Sequence, residues 1–313
     1  MISVKDLKEK LKYSSNEIAP AFRRAGQDRI AQRLDECGDF VRVAYCVKCH
    51  AKHLSGAKPC RNRYCPVCSK LRSLLWVARL IPLLEHWIDG GGYLFLLNLT
   101  IKDTPTLKEG LDTLTGAWRT MTHEGRKNRD EWKTRFAGGV RSLEVKRGHN
   151  SGLWHPHYHA ILLRRHFGRD WPYFSEKWQD AVRKANGRTE KGGSVWLHSV
   201  GRGKDKTLLD AVVECFKYMT KFEWHGASPA TINELVKTLH SRKGIQTWGV
   251  LYGLAEQTEE QFEKSDYEDL RGFVCRACGF HEFEFDLIAR SEFEADTDIG
   301  DLVKIDDGNS RTL

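Results

Sequence analysis

The chain has 313 residues, 50 Lys and Arg against 42 Asp and Glu, a formal net charge of +8, and 40% apolar residues with 11% aromatics. These values allow about two domains with real cores and exclude a chain that is disordered throughout. No stretch approaches the ~18 uncharged apolar residues of a membrane helix, and the charged opening MISVKDLKEKLKYSS is no secretory signal, so a cytoplasmic protein with no membrane partner is expected.

In chain order, residues 1–36 read as a polar, weakly helical lead-in and 37–72 as a Cys-rich module with too few apolar residues for a core of its own. Residues 73–253 form the main domain, and 254–313 an acidic C-terminal region. From Lys70 to Ile88 apolar residues recur at helical spacing, with Pro82 expected to kink or interrupt the helix. Gly90, Gly91 and Gly92 break that pattern before a strand, YLFLLNLTI (93–101). One helix is expected over Leu107–Phe136, because Leu111, Leu114, Trp118 and Met121 repeat every three to four residues. VRSLEVKR (140–147) and LWHPHYHAILL (153–163) alternate as strands, and the short turn from Gly148 to Gly152 makes them a hairpin. A helix near Trp171–Ala185, a strand SVWLHSV (194–200), and helices over Thr207–Trp224 and Ser228–Leu239 complete the pattern. Mixed helices and hairpin-type strands give an α+β class around a mainly antiparallel sheet.

The charge is unevenly placed. From Leu254 to Leu313 there are 17 acidic and 6 basic residues, which leaves 44 basic and 25 acidic groups in the rest. A body that basic favours a polyanionic partner, with nucleic acid foremost. The acidic tail either solubilises or competes with DNA for the body.

Nine cysteines, six of them in three CxxC pairs, read as metal thiolates in a reducing compartment and not as a disulfide framework. Cys46-x-x-Cys49 and Cys65-x-x-Cys68 have the spacing of a four-cysteine structural zinc site, with Cys37, His50, His53 and Cys60 as spare candidates. Four thiolates leave no open position for chemistry. Lys58, Arg61, Arg63, Lys70 and Arg72 cluster on this module and are candidates for DNA phosphate contacts. Cys275-x-x-Cys278 with His281 is half of a possible second zinc site and must borrow ligands from elsewhere.

WHPHYHAILL carries His155, His157 and His159 at i, i+2 and i+4. Side chains alternate along a strand, so all three face one way. Two imidazoles on one strand face can share a divalent ion and leave positions open for substrate oxygens. Glu144, on the neighbouring strand, is the candidate third ligand.

With these residues in view, the chain resembles HUH-type single-strand DNA endonucleases through His157-Tyr158-His159. It resembles more closely the rolling-circle replication initiators of small bacterial plasmids. Three blocks carry the resemblance in order: CRNRYCPVC (60–68), SLEV with WHPHYHAILL (142–163), and VVECFKYMTK (212–221). The resemblance implies a divalent-metal endonuclease, with Mn²⁺ or Mg²⁺, whose tyrosine attacks a phosphodiester. It makes His157 and His159 the ligands and leaves His155 flanking. FLLNLT (95–100) fits the family's opening block, except that Asn98 stands where a threonine is expected.

On a helix Glu214 and Tyr218 share a face, with Lys217 and Lys221 nearby. A phenol with pKa ~10 needs cations to act as a nucleophile at neutral pH. One turn past Tyr218 stands Phe222, which cannot attack, and one turn before it stands Glu214, a carboxylate able to activate water. The expected activity is therefore nicking of origin DNA by Tyr218, giving a 5′-phosphotyrosyl link and a 3′-OH primer, with glutamate-assisted termination. A host helicase and polymerase are the expected partners. The competing readings are an insertion-sequence transposase of the same chemistry and a zinc-containing regulator that binds DNA without cutting it.

Overall fold

The computed structural model describes residues 18–38, 40–57, 59–148, 150–166, 171–187, 192–201, 204–216, 227–264, 273–275, 277–278, 280, 282–289, 299–300, 303–304 and 311–312. The chain divides into two compact units: Met1–Cys68 together with Gln261–Leu313, and Ser69–Glu260. The Cys-rich module and the C-terminal region, read above as separate segments, thus belong to one unit. The reason is strand pairing across the whole sequence.

In the first unit α1 (Asp28–Asp35) precedes β1 (Phe40–Cys46) and β2 (Lys52–Ala57), which form an antiparallel pair. The other edge of β1 takes up β9 (Phe283–Ala289), with Cys46 opposite Phe283 and Phe40 opposite Ala289. The module gains through this long-range pairing the sheet that its own sequence does not supply.

The second unit is built on a five-stranded sheet. Its strands are β3 (Tyr93–Ile101), β4 (Gly138–Arg147), β5 (Trp154–Arg164), β6 (Gly193–Val200) and β7 (Ile245–Gly249), in the order β6-β3-β5-β4-β7, every pair antiparallel. β4 and β5 make the expected hairpin. β7 has no counterpart among the expected strands, since five residues ending at Gly249, with φ +63°, carry little alternation.

Helix α2 (Pro66–Asp89) is not interrupted at Pro82, which leaves the kink as the expectation that stands there. Trp76, Leu80 and Leu84 recur every four residues on its buried face, packed with Leu94, Leu96, Val140, Ile161 and Phe216. Trp76 stacks on Phe216 with ring centroids 4.8 Å apart. That burial holds the helix together where the proline removes one backbone bond.

The single helix expected over 107–136 is two, α3 (Leu107–Thr122) and α4 (Gly125–Arg135). The break falls where Gly125 takes φ +71°, a conformation only glycine adopts without strain. Further on lie α5 (Trp171–Asn186), α6 (Leu208–Phe216), α7 (Pro229–Leu239) and α8 (Leu254–Lys264). Among the described residues no helix is long and apolar enough to cross a membrane.

The sheet's two faces differ. Residues directly opposite on neighbouring antiparallel strands point to the same side, so the register sorts side chains into rows. Leu94, Leu163 and Val200 form one row, and Leu96, Ile161 and Val140 the next. Both lie in the apolar core shared with α2 and α6. The following rows turn polar: Asn98, His159 and Ser142, then Thr100, His157 and Glu144. On the opposite face Arg141 is buried, its guanidinium 4.2 Å from the Tyr158 ring and 4.6 Å from the Trp118 ring.

Candidate metal centre

The strand period of two and the hairpin register place the centre. His157 lies opposite Glu144, His159 opposite Ser142, and all four share the face just described. Glu144, His157 and His159 are each buried, 4–5% exposed. Their ligand atoms lie within 4.8 Å of one another. One carboxylate oxygen, Oε2 of Glu144, meets both imidazoles: Nε2 of His159 at 2.9 Å and Nε2 of His157 closer still. His155 does not converge on this point, because its Nδ1 lies 2.6 Å from Asp103 Oδ1.

The polarity of the surrounding hydrogen bonds tests whether these residues suit a cation. Asn98 Nδ2 donates to Glu214 Oε1 at 3.2 Å, which turns Asn98 Oδ1 toward His159 Nδ1 at 2.7 Å. His159 must then carry its proton on Nδ1. His157 Nδ1 likewise donates, at 3.4 Å, to the carbonyl of His155. In the neutral rings both Nε2 atoms are therefore lone pairs aimed at a carboxylate oxygen. Three acceptors converging in a buried space repel unless positive charge sits among them. Two imidazoles and a carboxylate with hydrogen-bonded outer nitrogens are a donor set for a divalent metal ion.

Burial raises the Glu144 carboxyl, but contact with the two imidazoles, which as donors favour the carboxylate, brings its pKa down to about 2, from 4.5; a bound cation would act on the carboxylate in the same direction. Burial pushes the His157 imidazole below its ordinary value, against the pull of Glu144.

A second carboxylate is tied to this group. Glu214, in the last turns of α6, accepts from Asn98 through Oε1 and from the Lys206 ammonium through Oε2. Burial raises its carboxyl, and the bonds from Lys206 and Asn98 overcome that and hold it below the usual range. Asn98 thus joins Glu214 to His159 in one chain of hydrogen bonds. α6 is anchored to the sheet beside it, with Ser142 Oγ donating to the Cys215 carbonyl. Tyr218, Lys217 and Lys221 lie outside the described residues. Sequence reasoning singled out Asn98 only as a departure from a family pattern, and passed over Lys206 and Asp103. Lys206 precedes the helix that carries Glu214, in a bridge to Val200, so no periodicity in the sequence pointed to it.

The cysteines sort differently from their spacing. Cys46 and Cys49 do not join Cys65 and Cys68. Cys37, Cys60, Cys65 and Cys68 form one group, and Cys46, Cys49, Cys275 and Cys278 another. Sulfur–sulfur distances are 3.4–3.7 Å in the first group and 3.5 Å for both bridging contacts in the second. Four thiolates ~2.3 Å from one tetrahedral ion stand about 3.8 Å apart, close to these values, and no disulfide links the described cysteines. β1 and β9 run side by side, so the turn after Cys46 meets the one that carries Cys275 and Cys278. His281, expected beside them, lies outside the described residues. His53 places Nε2 3.2 Å from Cys275 Sγ, as a neighbour of that thiolate.

Of the basic residues expected to hold phosphates, Arg72 is buried, with Nε 3.0 Å from Glu259 Oε2, so its charge is answered inside the protein. Arg61 and Arg63 are half-buried. Lys58 and the Lys70 side chain lie outside the described residues.

Comparison with known proteins places the chain. The family model for replication protein, Rep_1, matches residues 51–275. A protein named "Protein rep" from Streptococcus pneumoniae serotype 2 (strain D39 / NCTC 7466) is 26% identical over 232 residues, 67% of this chain and 66% of the relative. A "Protein rep" from Bacillus amyloliquefaciens is 28% identical over 147 residues, covering 45% and 42% of the two chains. Another, from a Bacillus species, is 26% identical over 187 residues, covering 58% and 57%. The chain thus spans less than two thirds of the length of these relatives. No solved structure matches.

Proposed function

The chain belongs to the Rep_1 family of replication proteins, and from that premise we propose that it is a plasmid rolling-circle replication initiator, a site-specific single-strand endonuclease acting at origin DNA. The observation that carries this reading is the convergence of three lone pairs, from Glu144, His157 and His159, with Glu214 tied to them through Asn98. These three residues would hold a Mn²⁺ or Mg²⁺ ion, which when bound supplies Lewis-acid polarisation of the scissile phosphate.

The Tyr218 oxygen forms a bond to phosphorus, and the bond from phosphorus to the 3′ oxygen of the preceding nucleotide breaks. The product is a 5′-phosphotyrosyl link and a 3′-OH that primes synthesis by a recruited helicase and polymerase. Lys217 and Lys221 favour the phenolate by charge. Glu214, ionised at neutral pH, accepts a proton from water in the terminating cleavage, so that step ends in hydrolysis. Asn98 keeps the His159 proton on Nδ1 and orients the carboxylate. Each cysteine group would hold one structural zinc ion, closed to substrate.

The test is a denaturing gel of protein, labelled single-stranded origin oligonucleotide and Mn²⁺. The wild type is expected to give a covalent protein–DNA band that EDTA prevents. Tyr218→Phe is expected to give none while still binding the oligonucleotide. An undiminished band from that variant removes Tyr218 from the mechanism, and no band from the wild type leaves a non-cutting DNA-binding protein as the better reading.

A further inference from the structure

The row that contains His159 has two unlike ends. At the β7 end Ser142 and Ile245 are buried, 2% and 7% exposed, and Ser142 is tied to the Cys215 carbonyl of α6. At the β6 end the row finishes at Trp196, which lies opposite Asn98 on an edge strand and is 51% exposed. Ser194, on the same face one row further, is exposed too.

A single exposed aromatic residue needs no explanation. This one shares a row with a candidate metal ligand, two strands away, or ~9.6 Å at ~4.8 Å per strand. Along that row the side chains are buried at the β7 end and exposed at the β6 end, so a strand of DNA whose phosphate reached the centre would meet exposed side chains only on the β6 side. In stacked DNA ~9.6 Å is about three nucleotides at ~3.4 Å each, and fewer in an extended strand.

We propose that Trp196 is the stacking platform for a nucleobase of single-stranded DNA, within about three nucleotides of the scissile phosphate. An indole face accepts any base, so the contact fixes the position of the strand along the sheet without reading its sequence. His198, two residues on, points to the same side and adds a polar edge to the platform. The proposal rests on the nicking reading above for the identity of its ligand.

Binding is measured by fluorescence anisotropy with full-length protein, zinc retained and no Mn²⁺ or Mg²⁺ added, so no strand is cut and failure here is separate from failure to form the covalent band. Trp196→Ala is expected to weaken binding of a single-stranded origin oligonucleotide by roughly 5- to 150-fold, and Trp196→Phe by much less. In Mn²⁺, Trp196→Ala should raise the oligonucleotide concentration needed for half-maximal nicking and leave the rate at saturation unchanged. Abasic substitutions are then moved one at a time through the nucleotides flanking the nick. One position should weaken the wild type as strongly as the tryptophan loss does and cost Trp196→Ala nothing more. Equal affinity of Trp196→Ala and wild type overturns the proposal. So does an abasic series that penalises both proteins alike at every position.

Discussion

The two units hold their candidate metal sites in opposite ways. In the second unit three donors, two nitrogens and an oxygen, stand on adjacent strands of a five-stranded sheet whose apolar rows bury Leu94, Leu96, Ile161 and Val140 around them. The frame is complete without an ion, and the donor set is too small to close around one. In the first unit eight thiols form two closed groups, and one of these joins Cys46 and Cys49 to Cys275 and Cys278. Among its described residues β8 (Phe273–Val274), β10 (Ile299–Gly300), β11 (Val303–Lys304) and β12 (Arg311–Thr312) are two residues long. On the proposed reading, the open site on its own frame serves chemistry and the closed thiolate sites on a slight frame serve architecture.

Stripping metal is the strongest way to break that comparison. Structural zinc sites in small domains contribute ~10–16 kcal/mol of apparent folding free energy, whereas an ion held at about 100 times its Kd adds ~2.7 kcal/mol. A chelator strong enough to take thiolate-bound zinc should unfold the first unit, seen as loss of protection in hydrogen exchange over residues 40–57 and 283–289. The second unit should keep its protection over residues 93–101 and 154–164. Two zinc ions per chain are expected by elemental analysis, and one after Cys278→Ser. Equal loss of protection in both units would end the distinction.

The contrast also explains what could be read from the chain alone. The histidine centre was legible because strand geometry is local: a period of two and a five-residue turn suffice to set Glu144 opposite His157. The α+β class followed from the same patterns. The cysteine partners were not legible, since CxxC spacing fixes which two thiols turn together and says nothing of which second pair closes the site. Cys275 and Cys278 reach Cys49 and Cys46 across more than 220 residues through the β1–β9 pairing. The role of Asn98 is not visible in the sequence, because it lies in facing two partners at once, His159 and Glu214. Pro82 does not interrupt α2, because the helix's buried face outweighs local propensity.

A smaller perturbation sharpens the open site. Asn98→Leu keeps the approximate volume and removes both bonds, freeing the His159 proton to move to Nε2. Loss of such an outer partner typically costs 10- to 100-fold in metal affinity, measurable by Mn²⁺ titration with electron paramagnetic resonance. Asn98→Thr should lose less, because one hydroxyl can accept from His159 and donate to Glu214. Equal losses would show that only side-chain volume matters there.

Acid should weaken the same site by competition for its lone pairs. Glu144, with pKa about 2, stays ionised across the working range, so the histidines set the limit. The His157 imidazole is held below its ordinary 6.5 by burial, which keeps it neutral and free to bind at lower pH than an exposed histidine. Mn²⁺ affinity is expected to be flat at alkaline pH and to fall as pH drops through the histidine range. Affinity that rose on acidification would contradict the lone-pair assignment.

The slightest expected effect concerns Lys206. Its ammonium and the Glu214 carboxylate are about a quarter exposed, which makes the pair worth about 1 kcal/mol. The folded-state pKa of Glu214 is depressed, so its contribution to stability is full above the unfolded value near 4.5 and fades as pH falls through the lower folded value. Lys206→Met should therefore cost about 1 kcal/mol in urea unfolding at pH 7 and approach the wild type in strong acid. In the nicking assay the same variant should leave the first cleavage intact, because in the proposed mechanism Glu214 acts only in release. Its release step should lose rate at a higher pH than the wild type does, as the carboxyl returns toward its ordinary value. A release profile that stayed in place would mean that Lys206 holds Glu214 without tuning it.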